Sequence, residues 1–309
     1  MTRFALIGGI YSNWRALEDA LADIARRHVD ATFCLGDLGA FGPYPDRVFP
    51  LLQQAGVLCL QGNYDNSLAG GLADCQCGYT DPRDNDFARL SYDYTFRNTS
   101  PAHKAWLGTL PMSRRLEVDG TRLLLCHGSP RKINEFLWES TSPDGFLRYL
   151  LGRADADVLC VTHTGIKWHR DLGDGRHVVN VGAIGRPEND GTSRVWYALL
   201  TIDGTIDVEF IPIDYDHEAL AADMHAERLP GEFIETIRSG WWTTCLEVLP
   251  QKERARGRFR SFDTNDGRHA GPATEASREH FPAWSAARRP ASGRWPGRQS
   301  GAGRSAGRS

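Results

Sequence analysis

The first 60 residues alternate between short apolar runs and amphipathic stretches. The apolar runs predict buried strands at residues 3–7, 31–35 and 57–60. The stretches between them carry apolar side chains at helical spacing and predict helices at residues 14–27 and 47–55. This β-α-β-α-β order predicts a parallel sheet, and therefore a protein of the α/β class.

The hydrophobic pattern changes after residue 113. Residues 115–126 alternate between apolar and polar side chains around Asp119-Gly120, which predicts an antiparallel hairpin. Later apolar runs predict strands at residues 157–161, 177–181, 195–202 and 205–212. Helices are predicted at residues 87–96, 101–107, 216–227 and 230–239, with a loop at residues 73–82. The later chain therefore adds both antiparallel strands and helices to the opening parallel unit.

The composition is that of an ordinary globular protein. Of 309 residues, 41% are hydrophobic and 24% are charged, which is enough to form a substantial core. No apolar run approaches the roughly 18–20 residues of a membrane span, and the N-terminus lacks the pattern of a secretion signal. The seven cysteines are an odd number, and several lie in predicted strands. We therefore expect a reduced, cytoplasmic protein without a disulfide framework or a membrane contact.

The composition differs near the C-terminus. Residues 251–309 are rich in Arg, Gly, Ser, Pro and Ala and contain almost no aliphatic side chains. Such a segment buries too little apolar surface to offset the entropy of ordering it. We expect one folded domain over residues 1–250 and a disordered basic tail over residues 251–309. Contact with nucleic acid is not expected, with the basic tail as the one exception.

Side chains with metal-binding atoms follow four of the predicted strands. Asp37 and Asn63 come directly after Gly36 and Gly62 in the first half of the chain. His127 and His163 follow two later strands. Because α/β proteins place functional groups at the carboxyl ends of their strands, these side chains are candidates for one site. Carboxylate, amide and imidazole groups together suit divalent transition metals.

These segments resemble the motifs of the calcineurin-like metallophosphoesterase family over residues 1–245. The motifs are Gly36-Asp37 with Gly42-Pro43, Gly62-Asn63-Tyr64-Asp65, His127-Gly128-Ser129-Pro130 and Val179-Asn180-Val181-Gly182. The resemblance implies two mixed β-sheets packed face to face and flanked by helices, in a four-layer α/β/β/α sandwich. It also implies two metal ions at the strand ends and hydrolysis of phosphate monoesters or diesters.

The family's pattern is incomplete in this chain. The resemblance places ligands that only the first metal uses at positions occupied here by Gly9, Tyr11 and Gly165, and a proton-donating His at Tyr64. The ligands of the second metal are all present, namely Asp37, Asn63, His127 and His163. The resemblance therefore implies a single-metal site, with one Mn, Fe, Zn, Co or Ni ion per chain.

Several further residues have expected roles around this site. Tyr11 and Tyr64 are expected to act with Asp37 as catalytic residues by orienting the substrate, and Arg186 to contact its phosphate group. Asp65 is expected to support its neighbours rather than to bind the metal. The candidates for extra metal ligands are Cys75, Cys77 and His169.

The sequence thus favours a metal-dependent phosphoesterase-like hydrolase that acts on a phosphate-containing small molecule. Its activity is expected to be reduced, because the first metal ion and the proton-donating His are missing. One alternative is a catalytically inactive metal- or phosphate-binding protein on the same scaffold. Another is an enzyme repurposed through a metal site rebuilt with Cys75 and Cys77.

Overall fold

Two five-stranded sheets pack face to face in the computed structural model, which describes residues 1–256. Residues 257–309, most of the predicted tail, lie outside the described residues. The strands are β1 Thr2–Ile7, β2 Ala31–Cys34, β3 Leu58–Cys59, β4 Ser113–Val118, β5 Thr121–Cys126, β6 Val158–Val161, β7 Lys167–Asp171, β8 His177–Val181, β9 Val195–Ile202 and β10 Ile206–Ile213. The first sheet has the order β10-β9-β1-β2-β3 and the second β4-β5-β6-β8-β7.

Helices cover the outer faces of the two sheets. They are α1 Trp14–Arg26, α2 Val48–Gln54, α3 Asn63–Gly70, α4 Pro82–Asn98, α5 Pro101–Leu107, α6 Asp144–Ala154, α7 His217–Ala226, α8 Gly231–Ser239 and α9 Gln251–Arg256. Helices α1, α2, α7 and α8 pack on the first sheet, and α6 packs on the second. The predicted four-layer α/β/β/α arrangement is therefore confirmed. No helix within residues 1–256 is both long and apolar enough to cross a lipid bilayer.

The central core lies between the two sheets. It includes Phe4, Leu6, Phe33, Leu35, Leu60, Leu125, Val179 and Leu200. Alternate residues of the same strands point outward, so that Ala5 and Ile7 of β1 pack in a second cluster with Leu17 and Ala20 of α1. A slip of one residue would exchange the two faces of a strand, so this burial fixes the strand register. Register in turn decides which polar residues emerge at the strand ends.

The parallel core of the first sheet follows the predicted pattern, and the second sheet has a parallel core as well. Strand β2 lies between β1 and β3, and all three run parallel. In the second sheet β6 lies between β5 and β8, again in parallel. Strands β4 and β5 form the predicted antiparallel hairpin, and Asp119 and Gly120 at its turn both have positive φ. These strands carry the candidate ligands, so the fold that the sequence predicts also positions the site.

Some elements differ from the prediction. Strand β7 pairs antiparallel with β8, although its sequence Lys-Trp-His-Arg-Asp has no apolar run. Helix α4 begins earlier than expected, because the Asp81 side chain accepts a hydrogen bond from Asp84 N at 3.0 Å. Helix α9 lies inside the predicted tail, and its Glu253 is buried and accepts from Ser140 N at 3.0 Å. The packed structure thus extends beyond residue 250.

Gly36 allows the ends of β2 and β3 to approach each other closely. Its φ is +97°, and a Cβ there would lie 2.2 Å from the backbone nitrogen of Gly62. Gly56 is a matched control, because its φ is +65° but its Cβ position is open. We predict that Gly56→Ala costs about 1–2 kcal/mol through its left-handed backbone alone. Gly36→Ala should cost at least about 2 kcal/mol more, since β2 must move away from α3.

Urea unfolding of chelator-treated protein measures the free energy of unfolding of both variants without a contribution from bound metal. Equal losses in Gly36→Ala and Gly56→Ala would mean that the two strand ends separate without cost. That result would contradict the close approach described here.

Candidate metal centre

Four side chains that follow strand ends meet at one edge of the two sheets. Asp37 follows β2, Asn63 follows β3 and begins α3, His127 follows β5, and His163 follows β6. All four are buried, with 1% to 8% of their surface exposed. Each sheet contributes two of them, so the site depends on the packing of one sheet against the other.

The candidate ligand atoms converge on a single point. Nε2 of His127 lies 3.1 Å from Oδ1 of Asn63, 3.1 Å from Nδ1 of His163 and 3.3 Å from Oδ2 of Asp37. Ligand atoms bound to one ion at ordinary distances would be separated by about 3.0–3.4 Å. The spacing of the other three atoms around Nε2 of His127 therefore fits one shared metal ion.

The orientation of His127 directs a lone pair toward this point. Its Nδ1 lies 2.7 Å from the backbone carbonyl of Leu35. A carbonyl only accepts hydrogen bonds, so Nδ1 carries the proton, and Nε2 of the neutral ring is a bare acceptor. A backbone carbonyl that orients a metal-binding histidine in this way is a common feature of metal sites.

Asn63 is oriented in a similar way. Its Nδ2 donates to the backbone carbonyl of Cys75 at 2.8 Å and lies 3.5 Å from Sγ of Cys77. The amide oxygen is thereby turned toward His127. With His127 neutral, Asp37, Asn63 and His127 present only acceptor atoms to one another. Such a buried group is unfavourable unless Nε2 of His127 takes a proton or a metal cation lies between them.

The charges of the site also favour a bound cation. Burial would raise the pKa of Asp37, but the neighbouring His127 and His163 lower it overall, so the carboxylate stays ionised. Burial and the charge of His127 lower the pKa of His163 to about 3, which leaves that ring neutral. Burial would lower the pKa of His127, but Asp37 raises it overall. The negative charge of Asp37, which favours protonation of His127, also favours a metal cation at this point.

Asp65 holds the backbone beneath the site. Its carboxylate accepts hydrogen bonds from the backbone nitrogens of Asp37 at 2.8 Å, Leu38 at 3.0 Å and Gly62 at 2.8 Å. Burial and the charge of Asp37 raise the pKa of Asp65 to about 6. These contacts join the end of β2 to the start of α3, which is the supporting role expected from the sequence.

Two of the candidate ligands have strained backbones. Asp37 and His163 have φ values of 58° and 67°, in the left-handed region that non-glycine residues seldom adopt. Tyr11, beside them in the fold, has a φ of 50°. Such conformations cost about 1–3 kcal/mol each and are concentrated at functional sites. The backbone at these strand ends thus adopts an unfavourable conformation that directs the two side chains into the site.

The two predicted substrate-orienting tyrosines are both buried. Tyr64 donates its hydroxyl to Oγ of Ser91 at 2.9 Å, and its backbone nitrogen donates to Oδ1 of Asp37 at 3.1 Å. Its contact with the site is therefore made by the backbone. Tyr11 lies beside Gly9, and burial, then the charge of Asp37, raises its pKa above the ordinary range. Both phenols stay protonated at neutral pH.

The three candidates for extra ligands do not join the four side chains. His169 lies in β7, where its Nε2 is 3.0 Å from Nδ1 of His177. Cys75 and Cys77 form a disulfide, so neither offers a thiolate, and the expectation of a chain without a disulfide is wrong at this pair. Their Cα atoms are 5.3 Å apart, within reach of a disulfide because the loop turns at Gln76, whose φ is 53°. The cysteines contact the site through Asn63.

The sequence analysis missed residues that cover the site. The Phe136 ring lies 4.3 Å from the His163 ring, measured between centroids. Trp242 and Thr244 reach the neighbourhood of Arg186 from the segment after α8. No motif marks these residues, because their positions depend on loops that fold back across the strand ends.

Comparisons with known proteins agree with this architecture. The profile of the calcineurin-like phosphoesterase superfamily domain matches residues 3–205. A relative from Methanocaldococcus jannaschii, described as an uncharacterized protein, is 24% identical over 243 residues, which cover 73% of this chain and 93% of the relative.

Two solved structures are similar over most of the chain. A metallophosphoesterase from Sphaerobacter thermophilus is 26% identical, with a TM-score of 0.61, and the match covers 77% of this chain and 99% of that one. A hypothetical protein from Pyrococcus horikoshii is 21% identical, with a TM-score of 0.67 and coverage of 78% and 100%, and it supports the fold alone. Since the family profile spans most of the folded part, this chain belongs to the calcineurin-like phosphoesterase superfamily.

Proposed function

We propose that this protein is a metal-dependent phosphoesterase that uses one divalent transition-metal ion. Asp37, Asn63, His127 and His163 would hold the ion. The convergence of their ligand atoms around Nε2 of His127 carries this proposal. Family membership supports the class of reaction, since the superfamily is named for phosphoesterases.

The chain's own groups would bind and orient the reacting partners. An ion in this site would act as a Lewis acid on a phosphoryl oxygen and lower the pKa of the water that attacks phosphorus. Leu35 and Cys75, through their carbonyls, fix His127 and Asn63 before any ligand arrives. Phe136 covers His163 and limits the access of bulk water. This preorganisation strengthens electrostatic interactions inside the site.

A basic cleft beside His127 favours an anionic substrate. The cleft has a volume of about 310 Å³ and is lined by Arg115, Arg131, Lys132 and Arg153, together with Ser129 and His127. Arg131 is ion-paired with Glu135. The remaining positive charge would attract the phosphate of a small molecule to the metal side of the fold. We therefore propose a phosphate-containing small molecule as the substrate.

A second function is favoured by the environment of Tyr64. This residue stands where the family resemblance places a proton-donating His, but its hydroxyl is bound to Ser91 and its pKa is raised by burial. A site without a general acid could bind metal and phosphate without turnover. The rebuilt-site alternative has less support, because both of its cysteine sulfurs lie in a disulfide.

Metal affinity tests the proposed ligand set. We predict that Asp37→Asn, Asn63→Ala and His127→Ala each weaken Mn²⁺ binding by on the order of 100-fold or more. Asp37→Asn removes the negative charge of a preformed site, and the other two substitutions each remove a ligand atom. His169→Ala is the matched control and should bind Mn²⁺ like the wild type, because its ring contacts His177 instead. Calorimetric titration of chelator-treated protein gives these affinities. Unchanged binding in His127→Ala would contradict the ligand set.

Turnover separates the two functions. We predict that the Mn²⁺-loaded protein hydrolyses p-nitrophenyl phosphate or its bis-ester, because this good leaving group needs little help from an acid. Asp37→Asn, assayed at saturating Mn²⁺, is the matched control and should lose this activity. Alkyl phosphates should react far more slowly, as expected for a site without a general acid. Wild-type turnover no faster than that of Asp37→Asn would support the non-catalytic function instead.

A further inference from the structure

The space beside Gly9 is filled by a neighbouring ring. A Cβ built on Gly9 would lie 2.8 Å from Cζ and 2.9 Å from Oη of Tyr11, and 2.8 Å from Cβ of Ala183. Any side chain at this position would therefore collide with Tyr11. The family resemblance places a metal-binding carboxylate here, and in this chain the Tyr11 ring takes its place.

The space beside Gly165 is closed in a similar way. A Cβ on Gly165 would lie 3.3 Å from Cζ2 and 3.4 Å from Cη2 of Trp242. Trp242 is held firmly, because its Nε1 donates to the carbonyl of Pro187 at 2.7 Å and its backbone nitrogen to Oδ1 of Asn189 at 2.8 Å. Aromatic rings thus stand at two positions where the resemblance expects ligands of a first metal.

Arg186 connects these two rings. Its Cζ lies 3.9 Å from the centroid of the Trp242 ring and 5.2 Å from that of Phe41. Phe41 in turn packs edge-on against Tyr11, with centroids 5.3 Å apart. The preceding residue, Gly185, donates its backbone N–H to the carbonyl of Gly9 at 2.8 Å. The guanidinium therefore belongs to the same half of the site as Gly9 and Gly165, which we call the first half-site.

Among residues 1–256, the charge of Arg186 has no carboxylate as a counter-ion. The side chain is 7% exposed, and within residues 1–256 no carboxylate forms an ion pair with it. In the same part of the chain, its guanidinium makes one hydrogen bond, from Nη2 to the carbonyl of Thr244 at 2.9 Å. Burying an unpaired charge is unfavourable, although stacking on Trp242 offsets part of the cost. An arginine has five N–H donors, so several are left for an anion.

Tyr11 contacts both sides of the site. Its backbone nitrogen donates to the carbonyl of Asp37 at 3.1 Å, and its ring packs against Phe41, which also contacts Arg186. These contacts place Arg186 near the metal centre.

We infer that Arg186 is a fixed cation that replaces the first metal ion and binds an oxygen of the substrate's phosphoryl group. The ligand class is a phosphate monoester, a phosphate diester or inorganic phosphate. The guanidinium would hold one side of the phosphoryl group, opposite the ion held by Asp37 and His127. This inference rests on the proposed function, because it assigns a second anchor to the same substrate.

The replacement also determines how many metal ions the chain takes. A second divalent ion in the first half-site would meet the positive charge of Arg186 and the rings of Tyr11 and Trp242. It would find no carboxylate or imidazole at positions 9 and 165, which are glycines. Like charges repel strongly in a poorly solvated site. The first half-site therefore selects an anion.

Phosphate affinity tests the inference without relying on turnover. Inorganic phosphate is titrated calorimetrically into Mn²⁺-loaded wild type, Arg186→Met and Arg186→Lys. Arg186→Met should weaken phosphate binding by about 10- to 100-fold while keeping the Mn²⁺ affinity unchanged. The phosphate affinity of Arg186→Lys should lie between those of the wild type and Arg186→Met, since lysine keeps the charge but lacks the planar guanidinium. Arg194→Met, which removes an exposed arginine paired with Asp214, is the matched control and should change neither affinity.

Rescue by a small cation strengthens the test. In Arg186→Ala, added guanidinium chloride at non-denaturing concentration should restore phosphate affinity by filling the gap between Trp242 and Phe41. Urea, which has a similar shape but no charge, and tetramethylammonium chloride at equal ionic strength should not. An equal effect of all three additives would overturn the role of the guanidinium. So would phosphate affinity in Arg186→Met equal to that of the wild type.

The outcomes distinguish this inference from the proposed function. Suppose that the wild type binds Mn²⁺ and hydrolyses substrate, and that Arg186→Met binds phosphate as tightly as the wild type does. In that case only this inference fails. If the wild type binds no metal, the proposed function fails, and the same phosphate titration is read on the metal-free protein. Loss of phosphate binding in metal-free Arg186→Met would then still support an arginine anion site. A wild type that binds no phosphate in either state would overturn it.

Discussion

Acceptor atoms of Asp37, Asn63 and His127 face one another at about 3 Å where two sheets meet, and His163 closes the group. Bringing such atoms together away from water is unfavourable unless a cation lies between them. The surrounding structure maintains this arrangement. The carbonyls of Leu35 and Cys75 orient two of the side chains. Asp65 ties the backbone together, and the left-handed conformation of Asp37 directs its carboxylate inward.

The two halves of the site have opposite charge preferences. The half built from Asp37, Asn63, His127 and His163 presents acceptors and favours a metal ion. The other half has small residues, Gly9 and Gly165, where ligands are absent, and rings that fill the space beside them. Arg186 adds a permanent positive charge between the rings of Trp242 and Phe41. A phosphoryl group is negatively charged and would bridge two such cations, so a one-metal site remains compatible with phosphate chemistry.

Local sequence patterns predicted the elements that carry the ligands. Apolar runs ending in glycine identified β2, β5 and β6, because buried parallel strands need continuous apolar residues and their ends need tight turns. The four candidate ligands were identified from the sequence, and the structure brings them together. Strand β7 was not predicted, since its stability comes from pairing with β8 rather than from its own pattern.

Contacts between distant loops were beyond such reasoning. Trp242 contacts Gly165 although the two residues are 77 positions apart in the sequence. The one sequence feature that reflects this contact is the glycine at position 165. The disulfide between Cys75 and Cys77 depends on a turn at Gln76 that composition does not reveal. The hydroxyl of Tyr64 points to Ser91 because α4 packs beside α3, which is a tertiary effect. Local patterns therefore predict the candidate ligands better than the groups that surround them.

The number and position of metal ions test the central claim most directly. Crystals of the wild type, grown with Mn²⁺ and measured on both sides of the manganese absorption edge, would locate every ion by its anomalous scattering. We predict one peak per chain, within bonding distance of Asp37, Asn63, His127 and His163. A second peak beside Gly9 and Gly165, or a single peak away from these four ligands, would contradict the account.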